Sequence, residues 1–289
     1  MRRIATIGFF DGVHRGHQFL FGRLQDEAHK RGLAPLIVSF DTHPREVLQM
    51  GYQPRLLSST QERKAMLSRY AEVLLFDFRQ IRMLTAEQFM QRLHEEQQVD
   101  ALLVGYDHRF GSDRIQDIDT LQQIGRQVGI QVIKAEEYAT EQAHISSTEI
   151  RNAIQAGDLE LANRLLGYPY RLSGTVVHGR GIGHTLGFPT ANIRLAEPKK
   201  LLPPCGVYAV RADLGHGHTR AAILNIGTNP TLGENPVSIE LHIPELRLDL
   251  YDRELSVALL RFLRAEQRFD SLEALSRQIQ EDIRQLDGI

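Results

Sequence analysis

The feature that most limits the possible folds of this chain is a change of pattern near Gly167. Before it, short apolar runs alternate with longer stretches of helical periodicity, and after it come short alternating segments separated by turn signals. The first pattern is typical of a doubly wound parallel sheet and the second of a small antiparallel barrel. A length of 289 residues also fits two domains. We therefore predict an α/β domain over residues 1–167 and a barrel domain over residues 168–289.

The periodicities place the main elements. Apolar runs in the first half predict buried strands, namely Ile4–Phe9, Leu36–Phe40, Val73–Phe76, Ala101–Val104 and Gln131–Ala135. Helical spacing predicts His17–Arg31, Ala86–Gln97, Ser147–Gln155 and Leu159–Leu166. Alternation in the second half predicts strands over Ser173–His178, Val207–Ala212, Ala221–Ile226, Val237–His242 and Leu255–Leu263. A terminal helix over Ser271–Leu286 has an apolar face that consists of Leu272, Leu275, Ile279, Ile283 and Leu286.

Composition excludes several classes of protein. Lys and Arg number 34 against 36 Asp and Glu, so the net charge of -2 lacks the basic excess of a nucleic-acid-binding protein. The single cysteine, Cys205, excludes an intramolecular disulfide and a cysteine-cluster zinc site, and it fits a reducing compartment. Apolar runs stay below the roughly 18 residues of a membrane helix, so we expect a cytoplasmic protein that binds neither nucleic acid nor membrane.

The most specific local motif runs from Gly8 to His17 and includes Phe9, Asp11, His14 and Gly16. It follows the first predicted strand and leads into the first helix. Two imidazoles beside a helix N-terminus favour a triphosphate site and suit the charge that builds on an α-phosphate during nucleotidyl transfer. The alternatives are a surface turn with two exposed histidines and a zinc site, which would need a third ligand nearby.

Further polar segments follow other predicted strands, where open α/β sheets bind their ligands. Ser39–Pro44 follows the second strand and Val104–Gly111 the fourth. Ile145–Arg151 opens a helix after the fifth strand and offers hydroxyls and a guanidinium to phosphates. A simple N-cap would account for the serines of that segment, but not for the coincidence with the other loops.

The second half holds a glycine-rich segment, Gly174–Gly187, followed by Phe188–Asn192. Its glycines suit phosphate wrapping, although the spacing is neither that of a Walker A loop nor that of a dinucleotide fingerprint. Thr190 and Asn192 would point the same way in an extended chain and offer neutral oxygens to Mg²⁺. The alternative is a plain glycine-rich hairpin.

Alternation over Ser238–Ile243 puts Ile239, Leu241 and Ile243 on one face, and Glu240 and His242 on the other. If Glu240 points into the site, it is a candidate general base for a substrate hydroxyl. Taken alone, it fits a solvated strand residue better than a catalytic base.

Together these motifs resemble the bifunctional riboflavin kinase/FMN adenylyltransferase family, over nearly the whole chain and in the family's order. The His-x-Gly-His segment is shared with the wider nucleotidyltransferase superfamily. The resemblance implies an N-terminal Rossmann-like domain that joins FMN and ATP into FAD and pyrophosphate. It also implies a C-terminal six-stranded barrel that phosphorylates riboflavin to FMN with ATP and Mg²⁺, releasing ADP.

The resemblance also implies roles for single residues. His14 and His17 would stabilise adenylyl transfer, and Glu240 would be the kinase base. Residues expected at ATP or its phosphates are Gly8, Phe9, Asp11, Gly16, Ser146, Ser147, Thr148, Arg151, Gly179, Gly181, Gly183 and Thr185. Residues expected at the flavin are Asp41, His43, Pro44, Asp107, Asn225 and Arg264. Thr190 and Asn192 would hold Mg²⁺.

Some positions depart from the usual family pattern, namely Thr42, His108, His184 and Asn229. Thr42 and His108 leave open a kinase whose N-terminal domain has lost its chemistry, whereas His184 and Asn229 bear on substrate affinity or on the rate of the kinase. A flavin-binding carrier without turnover is a further alternative, against which Glu240, Thr190 and Asn192 are all present.

Overall fold

The computed structural model describes residues 1–105, 109–136, 145–178, 188–215, 217–228, 237–246 and 249–289. These residues divide into two compact units, Met1–Ser147 and Thr148–Ile289. The two units therefore meet at residues 147 and 148, about twenty residues before the predicted domain boundary. The boundary between residues 167 and 168 stays a prediction, because compactness does not show which segments fold independently.

The N-terminal unit contains a parallel sheet in the order β3-β2-β1-β4-β5. The strands are β1 (Arg3–Ile7), β2 (Ala34–Phe40), β3 (Glu72–Phe76), β4 (Val99–Val104) and β5 (Gln131–Lys134). This confirms the predicted doubly wound sheet, with strand ends shifted by one or two residues. Since β1 lies between β2 and β4, the chain reverses direction across the sheet at β1 and β4, which is where such sheets bind ligands.

Helices cover both faces of this sheet, as predicted. They are α1 (Arg15–Arg31), α2 (Pro44–Leu48), α3 (Thr60–Leu67), α4 (Phe78–Ile81), α5 (Ala86–Gln97) and α6 (Ile118–Val128). The predicted spacing in α1 is confirmed, because Phe21, Leu24 and Ala28 are buried in one apolar cluster. Helices α5 and α6 contribute Phe89 and Leu121 to a separate cluster. A capping box of Thr85 and Gln88 begins α5.

The C-terminal unit begins with α7 (Ser147–Gln155, which starts at the last residue of the N-terminal unit) and α8 (Leu159–Leu166). Both match their predicted bounds, and Gly167 ends α8 in the left-handed conformation at φ 81°. Helix α8 packs on the barrel, where Asn163 Nδ2 donates to the carbonyl of Leu259 at 2.9 Å.

The barrel is closed and antiparallel within the described residues, in the order β10-β7-β6-β11-β8-β9. Its strands are β6 (Arg171–Val177), β7 (Ala191–Leu195), β8 (Gly206–Asp213), β9 (Thr219–Thr228), β10 (Val237–His242) and β11 (Glu254–Arg264). The alternation predicted every strand but β7. The six strands confirm the barrel that the family resemblance implies.

Helix α9 (Leu272–Arg284) is shorter than the predicted Ser271–Leu286, and Leu272 does not belong to its buried face. Leu272 is 60% exposed because it lies at the first helical position, before the helix reaches the barrel. Ile283 and Leu286 pack with Val207 and Ile223 as expected. Across the described ranges, no helix is long and apolar enough to cross a membrane.

Candidate active sites

The loop after β1 carries an unusual run of backbone conformations. Phe10, Gly12 and Val13 have φ angles of 56°, 73° and 38°. Positive φ is accessible to glycine but strained for an aromatic and especially for a β-branched residue. The chain therefore turns sharply just before His14, which is the N-cap residue of α1.

Asp11 holds this turn in place. Its carboxylate is 3% exposed and accepts hydrogen bonds from the backbone N–H groups of Leu57 and Ser58 at 3.0–3.1 Å. It also accepts from Ser58 Oγ at 3.1 Å, and Ser58 Oγ accepts from the N–H of Gly12. The carboxylate predicted at the phosphates thus contacts a neighbouring loop and anchors the strained backbone.

His14 and His17 stack on one another, with ring centroids 3.6 Å apart and planes 21° apart. The two imidazoles therefore lie side by side, and His14 is only 4% exposed. Phe10 packs edge-on against His17 at 5.2 Å. Burial, and then the adjacent His14 ring, hold the pKa of His17 well below its usual value of 6.5. The His17 imidazole is therefore neutral at neutral pH and acts as a hydrogen-bonding group.

Two of the three glycines of this motif lie close to aromatic rings. A Cβ on Gly8 would lie 2.7 Å from the Phe10 ring, and a Cβ on Gly16 would lie 3.3 Å from the His14 ring. The carbonyl of Ile145 is 3.6 Å from that same Gly16 position, and Ser147 Oγ donates to the carbonyl of Asp11 at 3.1 Å. The segment that starts α7 therefore lies beside the histidine loop.

Aromatic rings extend the site toward the end of β2. The Phe9 ring meets the His43 ring edge-on at 4.7 Å, and the guanidinium of Arg63 lies over the Phe9 ring, 4.0 Å from its centroid. Arg63 is fully buried in α3 and donates to the carbonyl of Phe40 at 2.6 Å. No local motif marks this arginine as a site residue. His43 caps α2, whose first residue is Pro44.

Other predicted N-terminal site residues lie farther along. Asp41 is exposed, and its N–H donates to the carbonyl of Phe76 at 3.1 Å. Ser146 is half-buried next to Ser147. Thr148 and Arg151 belong to the C-terminal unit, so their place at the phosphates stays a prediction. Asp107 lies outside the described residues.

In the barrel, strand register brings predicted site residues together. Glu240 on β10 is directly opposite Asn192 on β7 and Asn225 on β9. Directly opposite residues of an antiparallel sheet point to the same face. The register therefore forms a row of Asn192, Glu240 and Asn225 on one side of three adjacent strands.

Glu240 faces a pocket rather than open solvent. Its Oε2 lies 3.5 Å from Thr190 Oγ1, at the hydrogen-bond limit. Both residues line a pocket of about 370 Å³. The lining residues are Phe188, Thr190, Val207, Ile223, Asn225, Glu240, His242, Arg264, Glu266, Gln267, Phe269, Leu275, Ile279 and Asp282. Thr190, Glu240, Asn225 and Arg264, predicted from four separate segments, are thus brought to one cavity.

Arg264 contributes to the pocket wall through an ion pair. Its Nε and Nη2 bind the carboxylate of Asp282 on α9 at 2.8–3.1 Å, and Gln278 donates to that carboxylate at 3.0 Å. The pairing of β11 with β8 shifts register between Phe262 and Arg264, which turns the Arg264 side chain out of the regular alternation. Asp282, nearly fully buried, had no local signal in the sequence.

The glycine-rich segment gives no geometry for its predicted phosphate contacts. Gly179, Gly181, Gly183 and Thr185 lie outside the described residues, as do His108, His184 and Asn229. Their roles stay predictions. Thr42 is described and half-buried.

The donors around Glu240 fit a magnesium ion that is shared with nucleotide phosphates. Thr190 Oγ1 beside Glu240 Oε2, with Asn192 in the same row, offers hard oxygen ligands. Among the described residues, no cluster of three or more His, Cys, Asp or Glu side chains could hold a metal by itself. A site of this kind needs phosphate and water oxygens to complete its coordination.

Comparison with known proteins finds a matching family for each half of the chain. A family model described as FAD synthetase matches residues 1–149, and one described as riboflavin kinase matches residues 166–289. Among curated proteins, the bifunctional riboflavin kinase/FMN adenylyltransferase of Pseudomonas fluorescens is 41% identical, over 97% of this chain and 90% of its own length. The protein of that name from Escherichia coli strain K12 is 39% identical, over 96% and 90%.

A solved structure has the same fold. It is described as a macrolide-efflux protein from Streptococcus pneumoniae, and it is 31% identical with a TM-score of 0.90, covering 100% of this chain and 94% of its own. With two family models in order and relatives that match over nearly their whole length, the chain belongs to the bifunctional riboflavin kinase/FMN adenylyltransferase family.

Proposed function

We propose how the residues of each site perform the two activities of this enzyme, the phosphorylation of riboflavin to FMN and the adenylylation of FMN to FAD. The observation that carries the proposal is the position of Glu240, whose Oε2 lies 3.5 Å from Thr190 Oγ1 on the wall of the 370 Å³ pocket, in the unit that matches riboflavin kinase. The carboxylate of Glu240 can accept a proton from a substrate hydroxyl, and the apolar side chains of the same pocket can pack against a flavin ring.

In the kinase site, Glu240 accepts the proton of the riboflavin hydroxyl as its oxygen attacks the γ-phosphorus of ATP and ADP leaves. Thr190 Oγ1 and the Asn192 side chain hold Mg²⁺, which when bound neutralises phosphate charge. Asn225, next to Glu240 in the row, binds the flavin. Arg264, being paired with Asp282, acts on the flavin mainly by fixing α9 as a pocket wall. Gly179, Gly181, Gly183 and Thr185 contact the ATP phosphates.

In the adenylyl-transfer site, a phosphate oxygen of FMN attacks the α-phosphorus of ATP, and the bond to pyrophosphate breaks. His14 and His17 donate hydrogen bonds to the oxygens on which charge builds. A neutral His17 donates without the cost of burying a charge. Ser146, Ser147, Thr148 and Arg151 contact phosphates, and His43, Pro44, Asp41 and Asp107 contact the flavin.

The remaining partners follow from these reactions. Riboflavin, FMN, FAD and ATP are substrates or products, and ADP and pyrophosphate leave. We place the enzyme in the cytoplasm, where the free thiol of Cys205 stays reduced.

The proposal is tested with Glu240→Gln, which keeps the size of the side chain and removes its basicity. Riboflavin phosphorylation should fall by about 10²- to 10⁴-fold, the usual contribution of a general base. Riboflavin binding, measured by fluorescence, should be retained. Adenylylation of supplied FMN by the same preparation should be unchanged and reports on folding.

The matched control is Glu254→Gln, an exposed carboxylate that begins β11. It should leave both rates as they are. Normal riboflavin phosphorylation by Glu240→Gln would refute the role of Glu240 as the base.

A further inference from the structure

His242 lines the kinase pocket, and the riboflavin phosphorylation proposed above gives it no role. It follows Glu240 by two residues on the same face of β10 and is 7% exposed. Its Nδ1 is 2.9 Å from the carbonyl oxygen of Pro189, and its ring meets Phe188 edge-on at 5.6 Å. A carbonyl oxygen only accepts, so Nδ1 carries the proton and donates.

The segment that His242 contacts is the one that carries Thr190. Residues 188–190 precede β7, whose pairing with β10 begins at Ala191 opposite Leu241. The paired backbone therefore stops just before Thr190. Two side chains from one face of β10 contact residues 188–190, which precede β7. His242 contacts the carbonyl of Pro189, and Glu240 contacts the hydroxyl of Thr190.

We propose that His242 is a positioning residue for phosphoryl transfer. By donating Nδ1–H to the Pro189 carbonyl, it fixes the approach to β7 and so sets where Thr190 Oγ1 lies relative to Glu240. This inference rests on the proposed roles of Thr190 and Glu240. It assigns the effect to one hydrogen bond and not to the packing of the ring.

Two substitutions separate the hydrogen bond from the packing. His242→Phe keeps a ring against Phe188 but has no donor, whereas His242→Asn loses the ring and carries an amide N–H near the place of Nδ1. The kinase kcat should fall by about 10- to 100-fold in His242→Phe, with the KM for riboflavin little changed, because misplacement costs transition-state binding. His242→Asn should stay within about threefold of wild type. The reverse order of the two variants would overturn the inference.

A double-mutant cycle with Thr190→Ala tests the route of the effect. If His242 acts through Thr190, adding His242→Phe to Thr190→Ala should slow the kinase by less than about twofold. Effects that multiply fully would overturn the inference and leave the role of Thr190 intact. Full activity of Thr190→Ala alone would instead overturn the proposed function of Thr190.

Folding is controlled within the same molecules. Adenylylation of supplied FMN should be unchanged in every variant. His218→Phe provides the control substitution at an exposed histidine of the barrel unit, in the turn between β8 and β9. It should leave the kinase kcat at the wild-type value.

Discussion

At the end of β1 a loop of strained backbone presents His14, whereas in the barrel three ordinary strands present Asn192, Glu240 and Asn225. The loop needs positive φ angles at Phe10 and Val13, and the anchors that hold them are buried. The barrel row needs only correct register, because the strands already direct the side chains. The position of the histidines therefore depends on the buried contacts of Asp11, whereas the barrel site depends mainly on the residues that line it.

The largest expected effect on the N-terminal site is the loss of a histidine. His14→Ala removes one of the donors to the α-phosphate, and adenylylation of FMN should fall by about 10²- to 10³-fold. Riboflavin phosphorylation should be unchanged, since its residues lie in the barrel. Both rates are measured by chromatography of the flavins. Unimpaired FAD formation would show that adenylyl transfer takes place elsewhere.

Asp11→Ala tests whether the strained loop depends on its buried anchor. The backbone N–H groups of Leu57 and Ser58 lose a charged acceptor, so the N-terminal unit should lose about 2–3 kcal/mol of unfolding free energy. Adenylylation kcat should fall about tenfold as His14 loses its fixed position. Asp26→Ala, at an exposed position of α1, is the control.

The result that would contradict this expectation for Asp11→Ala is a raised KM for ATP with an unchanged free energy of unfolding. That result would favour direct phosphate binding by Asp11, the role that the motif alone suggests. Thermal unfolding together with steady-state kinetics distinguishes the two roles.

The barrel site has one buried anchor of its own, the pair of Arg264 and Asp282. Asp282→Asn removes the charge that binds Arg264, so α9 should be held less firmly and its Leu275 and Ile279 should line the pocket less well. We expect the KM for riboflavin to rise about three- to tenfold with a small change in kcat. Glu281→Gln, an exposed residue of the same helix, should change neither. An unaltered KM in Asp282→Asn would contradict this role of α9.

The smallest expected effect is a pH dependence of stability from His17. Burial lowers its pKa in the folded state, so between that pKa and about 6.5 the unfolded chain binds more protons. The stabilisation by neutral His17 is complete above about pH 6.5 and is lost as the pH falls toward the folded pKa. His17→Phe should flatten this part of the profile of unfolding temperature against pH. His29→Phe, exposed on the same helix, should not.

Much of this architecture could be predicted from local pattern. In residues 8–17 and 238–243 the candidate site residues are close together in the sequence, so local motifs identify them. The alternation over 238–243 correctly predicts that Glu240 and His242 lie on the opposite face from the core residues Ile239 and Leu241. Local pattern did not predict α2, α3, α4 or α6; in α3 the apolar spacing is weak, although Ser59 and Glu62 form a capping box. Local pattern also did not predict β7, in which Ile193 is the one buried residue and the apolar alternation is therefore weak.

What could not be predicted depends on contacts between distant residues. Arg63 meets Phe40 across 23 positions, Arg264 meets Asp282 across 18, and His242 meets Pro189 across 53. No local pattern marks such partners, since only the folded sheet or barrel brings them together. The error at Leu272 has the same origin, because periodicity gives the face of a helix but not where the barrel beneath it ends.

We expect each reaction to depend on its own set of residues, with His14 required for adenylyl transfer and Glu240 for riboflavin phosphorylation. The most direct test incubates His14→Ala, Glu240→Gln and their mixture with riboflavin, ATP and Mg²⁺, and follows the flavins by chromatography. His14→Ala alone should accumulate FMN, Glu240→Gln alone should leave riboflavin unchanged, and the mixture should form FMN and then FAD. Formation of FAD from riboflavin at the wild-type rate by either variant alone would contradict the claim.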